Sequence, residues 1–296
     1  MITVILRGGL GNQMFQYASG LGIAKKNGTT LALDSTYLND RSPRGNFTRR
    51  NYDLDIFETD PDRTLLSKIS AKFPLPVVWL GADFFGAIAG DFLGIRKFFR
   101  ERTDFAFDQE TFNAGQSAIL WGFWQNEKYF DGAKDEVRAA FRFKKSNNEA
   151  FLEAKKNILA VNAISLHVRR GDYTLPKYLK VYGATDTSYY DRAIAYISER
   201  VDSPHFFVFS DDIDWCRNNI KTSAPVTYMD DATAGRKASG HLELISLCKH
   251  NIIANSTFSW WGAWLNQSPG KIVVAPKRWH ADLTKGDLIS EQWIKI

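Results

Sequence analysis

The chain has 296 residues, 44% hydrophobic and 24% charged, a composition that excludes a disordered or collagenous protein and supplies a substantial core. At roughly 100 to 200 residues per domain, that length predicts two domains. The net charge of +5 is too mild, and the Arg49-Arg50 and Arg169-Arg170 pairs too local, for a nucleic-acid or anionic-membrane binder. A small anion is the partner this balance suggests.

Residues 2–6 (ITVIL) read as a strand that breaks at Arg7-Gly8-Gly9, too short an apolar run for a signal-peptide core or a membrane span. No integral membrane segment is expected. Cys216 and Cys248 are the two cysteines, so no disulfide framework is expected and a reducing compartment follows. The expected location is the cytoplasm of a prokaryote, with peripheral membrane attachment left open.

After Gly8 to Gly11, apolar residues recur at helical spacing from Met14 to Ile23, before Lys25, Lys26 and Gly28 close the helix. With 30–34 (TLALD) following, the start reads as strand, loop, helix, strand. Prolines 43, 61, 74 and 76 interrupt residues 40–115, which are expected to be irregular and partly helical. The second half alternates: strands at 164–168, 205–210, 226–229, 252–254 and 272–275, helices at 189–200, 212–220, 241–250 and 258–266. Such alternation implies parallel sheets covered on both faces. We therefore expect an α/β protein of two doubly wound domains, 1–150 and 151–296, joined within the polar stretch 144–156.

Three segments carry chemistry. The first is 7–16 (RGGLGNQMFQ), a glycine-rich loop where missing side chains let backbone approach a ligand. It is neither a dinucleotide fingerprint, since Met14 stands where glycine is needed, nor a Walker A loop; by spacing alone it reads as a tight turn. The second is 167–173 (HVRRGDY), at the carboxyl end of a predicted strand, where open α/β sheets place ligands. A guanidinium there can grip phosphate oxygens through two parallel hydrogen bonds. Alternation puts Arg169 on the face of His167 and turns Arg170 elsewhere; the structural alternative is an exposed Arg170–Asp172 ion pair.

The third is 251–266 (NIIANSTFSWWGAWLN), a buried strand running through Asn255, Ser256 and Thr257 into an aromatic helix. Hydroxyls and free amides at a helix start make a phosphate site, although a capped core helix explains the same letters. Asp211 and Asp212, at the end of another strand, are placed either to accept from ribose hydroxyls or a base amide, or to cap the next helix. Neither metal-ligand spacing nor a hydrolase motif is present. The Asp-x-Asp pairs 53/55, 60/62 and 212/214 are as frequent as chance allows.

HVRRGDY, the early GGLGNQMFQYA and the late ANSTFSWWGAWLN together resemble glycosyltransferase family 11, the α-1,2-fucosyltransferases. Segments 121–130, 276–280 and 292–294 extend the resemblance over nearly the whole chain. It implies a GT-B fold of two Rossmann-like domains facing a cleft, with GDP-β-L-fucose as donor to the C-terminal domain. It further implies inverting transfer to the 2-hydroxyl of a terminal β-galactoside on the N-terminal, acceptor side. Arg169 is then the essential arginine on the donor diphosphate, with Arg170 and Asp172 in the same signature. Ser256, Thr257 and Phe258 match the loop at the β-phosphate, with Asn255 beside them, and Asn12, with Gly9 and Gly11, the N-terminal loop. Relatives often carry an acidic residue near His241; here 241–244 reads HLEL, and Glu243 either substitutes in the guanine contact or, at helical spacing, faces solvent.

An inverting mechanism needs the departing diphosphate stabilised, which Arg169 and the amides at 256–258 would supply with neither metal nor cofactor. Asp172, His167 and Glu127 are candidate bases, and the leaving phosphate is another proton acceptor. A nucleotide-dependent oxidoreductase and a non-catalytic sugar-binding protein are the alternatives. The first lacks its glycine fingerprint, and the second has no use for a diphosphate clamp.

Overall fold

The computed structural model describes residues 1–40, 50–59, 62–72, 97–171, 187–280 and 288–296. The chain divides into two compact units, Met1–Arg142 and Phe143–Ile296, so the division falls ahead of the expected 150/151. The polar stretch read as a linker instead enters the second unit and forms an amphipathic helix, Glu149–Leu159, that buries Phe151, Ala154 and Ile158. Asn148 starts it by accepting the Phe151 amide at 2.8 Å.

The first unit holds a four-stranded sheet in the order β2-β1-β4-β3, with every pairing parallel. Its strands are β1 (Ile2–Ile5), β2 (Leu31–Asp34), β3 (Lys97–Arg100) and β4 (Ala118–Trp121). All four β1 residues are buried, as expected of a strand covered on both faces. Helix α1 spans Leu10–Lys26. It begins before the predicted Met14, because the Asn12 and Gln13 amides already turn back onto the Gly9 carbonyl at 3.0 Å. Gly11 is thus helical and the break narrows to Arg7–Gly9. Strands β3 and β4 were not legible: each is four residues long, and periodicity over so short a span carries little signal.

The second unit holds a six-stranded parallel sheet, β10-β9-β8-β5-β6-β7. Its strands are β5 (Asn162–Val168), β6 (Pro204–Ser210), β7 (Val226–Tyr228), β8 (His250–Ile252), β9 (Val273–Ala275) and β10 (Ile294–Lys295). Period-two alternation divides its core. Ile164, Leu166, Val168, Phe206 and Val208 join one cluster with Tyr190, Ile194 and Cys216. Ala163, Phe207 and Phe209 join another with Phe151, Ile158 and Ile245. Helices therefore cover both faces, as a doubly wound sheet requires.

The helix predicted to run to His250 ends at Leu247. Cys248 turns extended at ψ 150°, and the Lys249 amide then bonds the Ala163 carbonyl at 2.9 Å, so pairing with β5 replaces the last helical turn. The same competition starts β8 two residues ahead of its predicted position.

Among the described residues, each sheet has one point where chain order reverses. In the second unit the chain runs outward from β5 to β6 and β7, then returns to the other side of β5 as β8. The reversal therefore lies between β5 and β8. In the first it lies between β1 and β4. Beyond the carboxyl ends of such strands diverging loops leave a crevice, the usual ligand position in open α/β sheets.

Candidate active site

Arg169 leaves β5 at the reversal point of the second sheet. Its Nη1 lies 2.7 Å from Asp211 Oδ2, while Asp211 Oδ1 accepts the Arg170 amide at 2.9 Å. One carboxylate, carried by the turn after β6, thus holds both the guanidinium and the backbone of the arginine loop. The Arg169 side chain keeps 30% exposure, within reach of a ligand. Gly171 lets the loop pass: a Cβ there would sit 2.5 Å from Asp211 Oδ2.

Arg170 turns the other way, as alternation predicts. Its Nε donates to Asp212 Oδ2 at 3.0 Å and its guanidinium stacks 4.1 Å from the Trp215 ring centroid. Asp212 also accepts the Trp215 amide at 3.1 Å, capping helix Ile213–Asn219. Asp212 therefore caps a helix and holds Arg170, while Asp211 holds Arg169 and the backbone of the arginine loop. The alternative pairing with Asp172 is not the contact Arg170 makes within the described residues, and Asp172 itself lies outside them.

His167 is buried, its ring tilted against Phe258 at 5.6 Å across the β5/β8 reversal. Burial, then the positive charge of Arg169, lowers its pKa to about 3. The ring is neutral near pH 7, and among the described residues its Nδ1 has no hydrogen-bond partner. Beyond β8, Asn255 and Ser256 are buried and helix Thr257–Leu265 begins. Ser256 stands at its N-cap without a side-chain capping bond. The Ser256 hydroxyl oxygen therefore does not accept from a first-turn amide, and the two are not spent on each other.

Glu243 is placed differently. Its carboxylate takes Lys155 Nζ at 2.9 Å, so it faces helix Glu149–Leu159. His241, two residues earlier on helix Ser239–Leu247, is held at 3.0 Å by both the Asp230 carbonyl and the Thr233 hydroxyl.

Gly9, Gly11 and Asn12 belong to the first unit. Gly8 has φ +78°, and a Cβ there would lie 2.5 Å from Asn12 Nδ2; Asn12 Oδ1 accepts Gln125 Nε2 at 2.7 Å. Sequence reasoning gave no role of its own to two groups at this edge: Arg7, which opens the glycine-rich segment two residues past β1, and Glu101, which follows β3. Glu101 accepts the Phe123 and Trp124 amides at 2.6 and 3.0 Å. Burial raises its pKa to about 7. Glu127 lies 3.3 Å from Lys134 Nζ. Among the described residues no group of three or more His, Cys, Asp or Glu side chains could hold a metal, and no helix is long and apolar enough to cross a membrane.

Residues 96–296 match the family described as Glycosyl transferase family 11. An alpha-1,2-colitosyltransferase of Escherichia coli is 33% identical, covering 100% of this chain and 99% of that protein. A galactoside alpha-(1,2)-fucosyltransferase 2 of Hylobates lar is 27% identical over 90% of this chain and 69% of its own. The structure of a mutant of Arabidopsis thaliana FUT1 in complex with GDP superposes with a TM-score of 0.52 at 11% identity, covering 92% of this chain and 69% of that one, which shows a shared fold. Two parallel α/β units of Rossmann type and this likeness make the fold GT-B. The chain belongs to glycosyltransferase family 11.

Proposed function

We propose that this protein is an inverting α-1,2-fucosyltransferase that moves L-fucose from GDP-β-L-fucose to the 2-hydroxyl of a terminal β-galactoside. The observation that carries the reading is the Arg169 guanidinium, fixed by Asp211 at the reversal point of the second sheet. A planar donor held in place before substrate arrives stabilises a departing diphosphate without reorganisation at the moment of reaction. Ser256, Thr257 and Phe258 open a helix from which amides complement the β-phosphate. The second unit is on this account the donor unit and the first the acceptor unit.

Transfer proceeds as the acceptor oxygen attacks C1 opposite GDP, through a transition state with oxocarbenium character. The C1–O bond to phosphate breaks, its electron pair leaves with GDP, and the acceptor proton must be taken up. His167, with a pKa near 3, is a weak proton acceptor; its buried neutral ring instead limits the positive charge packed beside Arg169. Glu127 is drawn to Lys134. The departing phosphate is the acceptor this arrangement favours, with Asp172 as the carboxylate alternative. A guanine contact through Glu243 would require its bond to Lys155 to open. No cofactor or metal enters these steps.

The full-length likeness to an alpha-1,2-colitosyltransferase favours a second donor, GDP-colitose. Colitose is fucose without its 3-hydroxyl, so one hydrogen-bonding group separates the two. A site that bonds that hydroxyl rejects its absence strongly, whereas an apolar site discriminates weakly. Equimolar GDP-fucose and GDP-colitose competing for lactose, with products resolved by mass spectrometry, decide it. Predominant fucosyl-lactose is expected; predominant colitosyl-lactose would replace the donor, and no sugar transfer would remove the reading.

A further inference from the structure

The reversal point of the first sheet has a chemistry of its own. Arg7 follows β1, and its guanidinium lies 4.4 Å from the Phe123 ring centroid, 5.2 Å from Trp121 and 6.0 Å from Tyr37. Trp121 ends β4 and Phe123 follows it, while Tyr37 follows β2 and meets Trp121 edge-on at 5.4 Å. All four side chains are half-buried. Among the described residues none accepts a hydrogen bond from the Arg7 guanidinium, whose recorded contacts are with these rings and the charge of Glu101. A cation is thus oriented by aromatic faces with its N–H donors left for something else.

The loop carrying Phe123 is held under strain. Trp124, buried, has φ +54°, a conformation costly for a bulky side chain. Glu101 fixes it by taking two consecutive amides, and Ser19 Oγ donates to the Trp124 carbonyl at 2.8 Å. Gly122 lies against that carboxylate, where a Cβ would approach Glu101 Oε2 to 2.8 Å.

We propose that Arg7, Trp121, Phe123 and Tyr37 form a saccharide-binding platform for the β-galactoside acceptor, and that Glu101 is the positioning residue that holds it. Aromatic faces stack on the C–H face of a sugar ring, while a guanidinium without protein acceptors donates to its hydroxyls. A bare phosphate site would need neither rings from two separate segments of the chain nor a carboxylate this close. The proposal rests on the transferase reading for the identity of the saccharide.

Two measurements separate them. Direct binding of lactose, followed by saturation-transfer NMR without donor, tests the platform; transfer from GDP-fucose tests the reaction. Arg7→Gln and Trp121→Ala are expected to weaken lactose binding about tenfold or more, with GDP affinity by calorimetry within about twofold as the control for folding. Glu101→Gln loses one of its two accepted amides; it should raise the acceptor KM while leaving the donor KM unchanged. If lactose does not bind the wild-type protein, or binds both folded variants as tightly, the platform is wrong. Loss of GDP affinity in step with lactose would also overturn it, assigning Arg7 to the nucleotide. Lactose binding with no transfer from any donor would retain the platform and reject the reaction.

Discussion

Arg169 and Asp211 are joined by a 2.7 Å contact, and the same carboxylate fixes the amide that follows Arg169 in the chain. The arginine is therefore oriented from two sides, through its guanidinium and its backbone. Charge alone cannot reproduce this. Replacement of Arg169 by Lys should reduce kcat/KM about 100-fold, since a charge-assisted pair is worth about 1.5–3 kcal/mol and an ammonium offers no parallel donors. Arg170→Lys should be milder, because its contacts are with Asp212 and Trp215. Steady-state kinetics on both variants check the order; near-normal turnover in Arg169→Lys would remove it from the clamp.

Asp211→Asn is expected to lower kcat/KM about tenfold, because the amide can serve one arginine contact but presents N–H to the other. Gly171→Ala should do the same without touching any charge, since the new methyl would collide with Asp211 Oδ2. Parallel kinetic losses, with similar melting temperatures, are predicted. Full activity in Gly171→Ala would show that the arginine loop tolerates displacement.

Ser256→Ala should weaken GDP binding about tenfold while leaving GMP binding nearly unchanged, and Thr257→Ala should act in the same direction. Ser256 makes no capping bond to helix Thr257–Leu265, so its loss costs little stability. Calorimetry with the two nucleotides reads the difference. Equal losses for both would assign Ser256 to the fold instead of the β-phosphate.

Much of this was legible because parallel strands bury both faces and read as apolar runs. Ile164 to Val168 and Phe206 to Phe209 announce themselves, and a strand's carboxyl end is where Arg169 had to be sought. Alternation also separated Arg169 from Arg170 correctly. What stayed hidden depends on tertiary neighbours. Nothing in Ser210-Asp211-Asp212 tells which carboxylate caps a helix and which turns toward Arg169 at the end of the neighbouring strand β5. Glu243 was a candidate only through the resemblance, yet Lys155 from a helix read as linker engages it. Glu101 follows a four-residue strand, and its significance comes from amides more than twenty positions later.

Stability should depend on pH through two groups of opposite sign. Glu101, raised from 4.5 to about 7 chiefly by burial, holds a proton in the folded state that the unfolded chain has lost. Its contribution therefore falls as pH rises from about 4.5 to 7 and is flat above. Asp104 strengthens that shift, Arg7 and the Phe123 and Trp124 amides oppose it, and Tyr129 faces the same carboxylate. His167, lowered from 6.5 to about 3, refuses a proton that the unfolded chain accepts, so its contribution is lost as pH falls from 6.5 toward 3. Glu101→Gln removes only the first limb. The stability of wild type relative to this variant should narrow from pH 5 to 7 and then stay constant; a gap that widens with pH would contradict the assignment.

The most direct test is a reaction of GDP-β-L-fucose with lactose by enzyme dialysed against chelator and kept in excess EDTA, with the product linkage read by NMR. Asp212 is bonded to Arg170 and to a helix amide, so the Asp212/Asp214 pair already has a structural occupation. Asp53 pairs with Gln13 through its amide at 2.9 Å. With the positive potential supplied by Arg169 and the amides near Ser256, the account predicts full activity and a single α-linked fucose on the 2-hydroxyl of galactose. A β-linked product, another hydroxyl, or activity that returns only with added manganese or magnesium would contradict it.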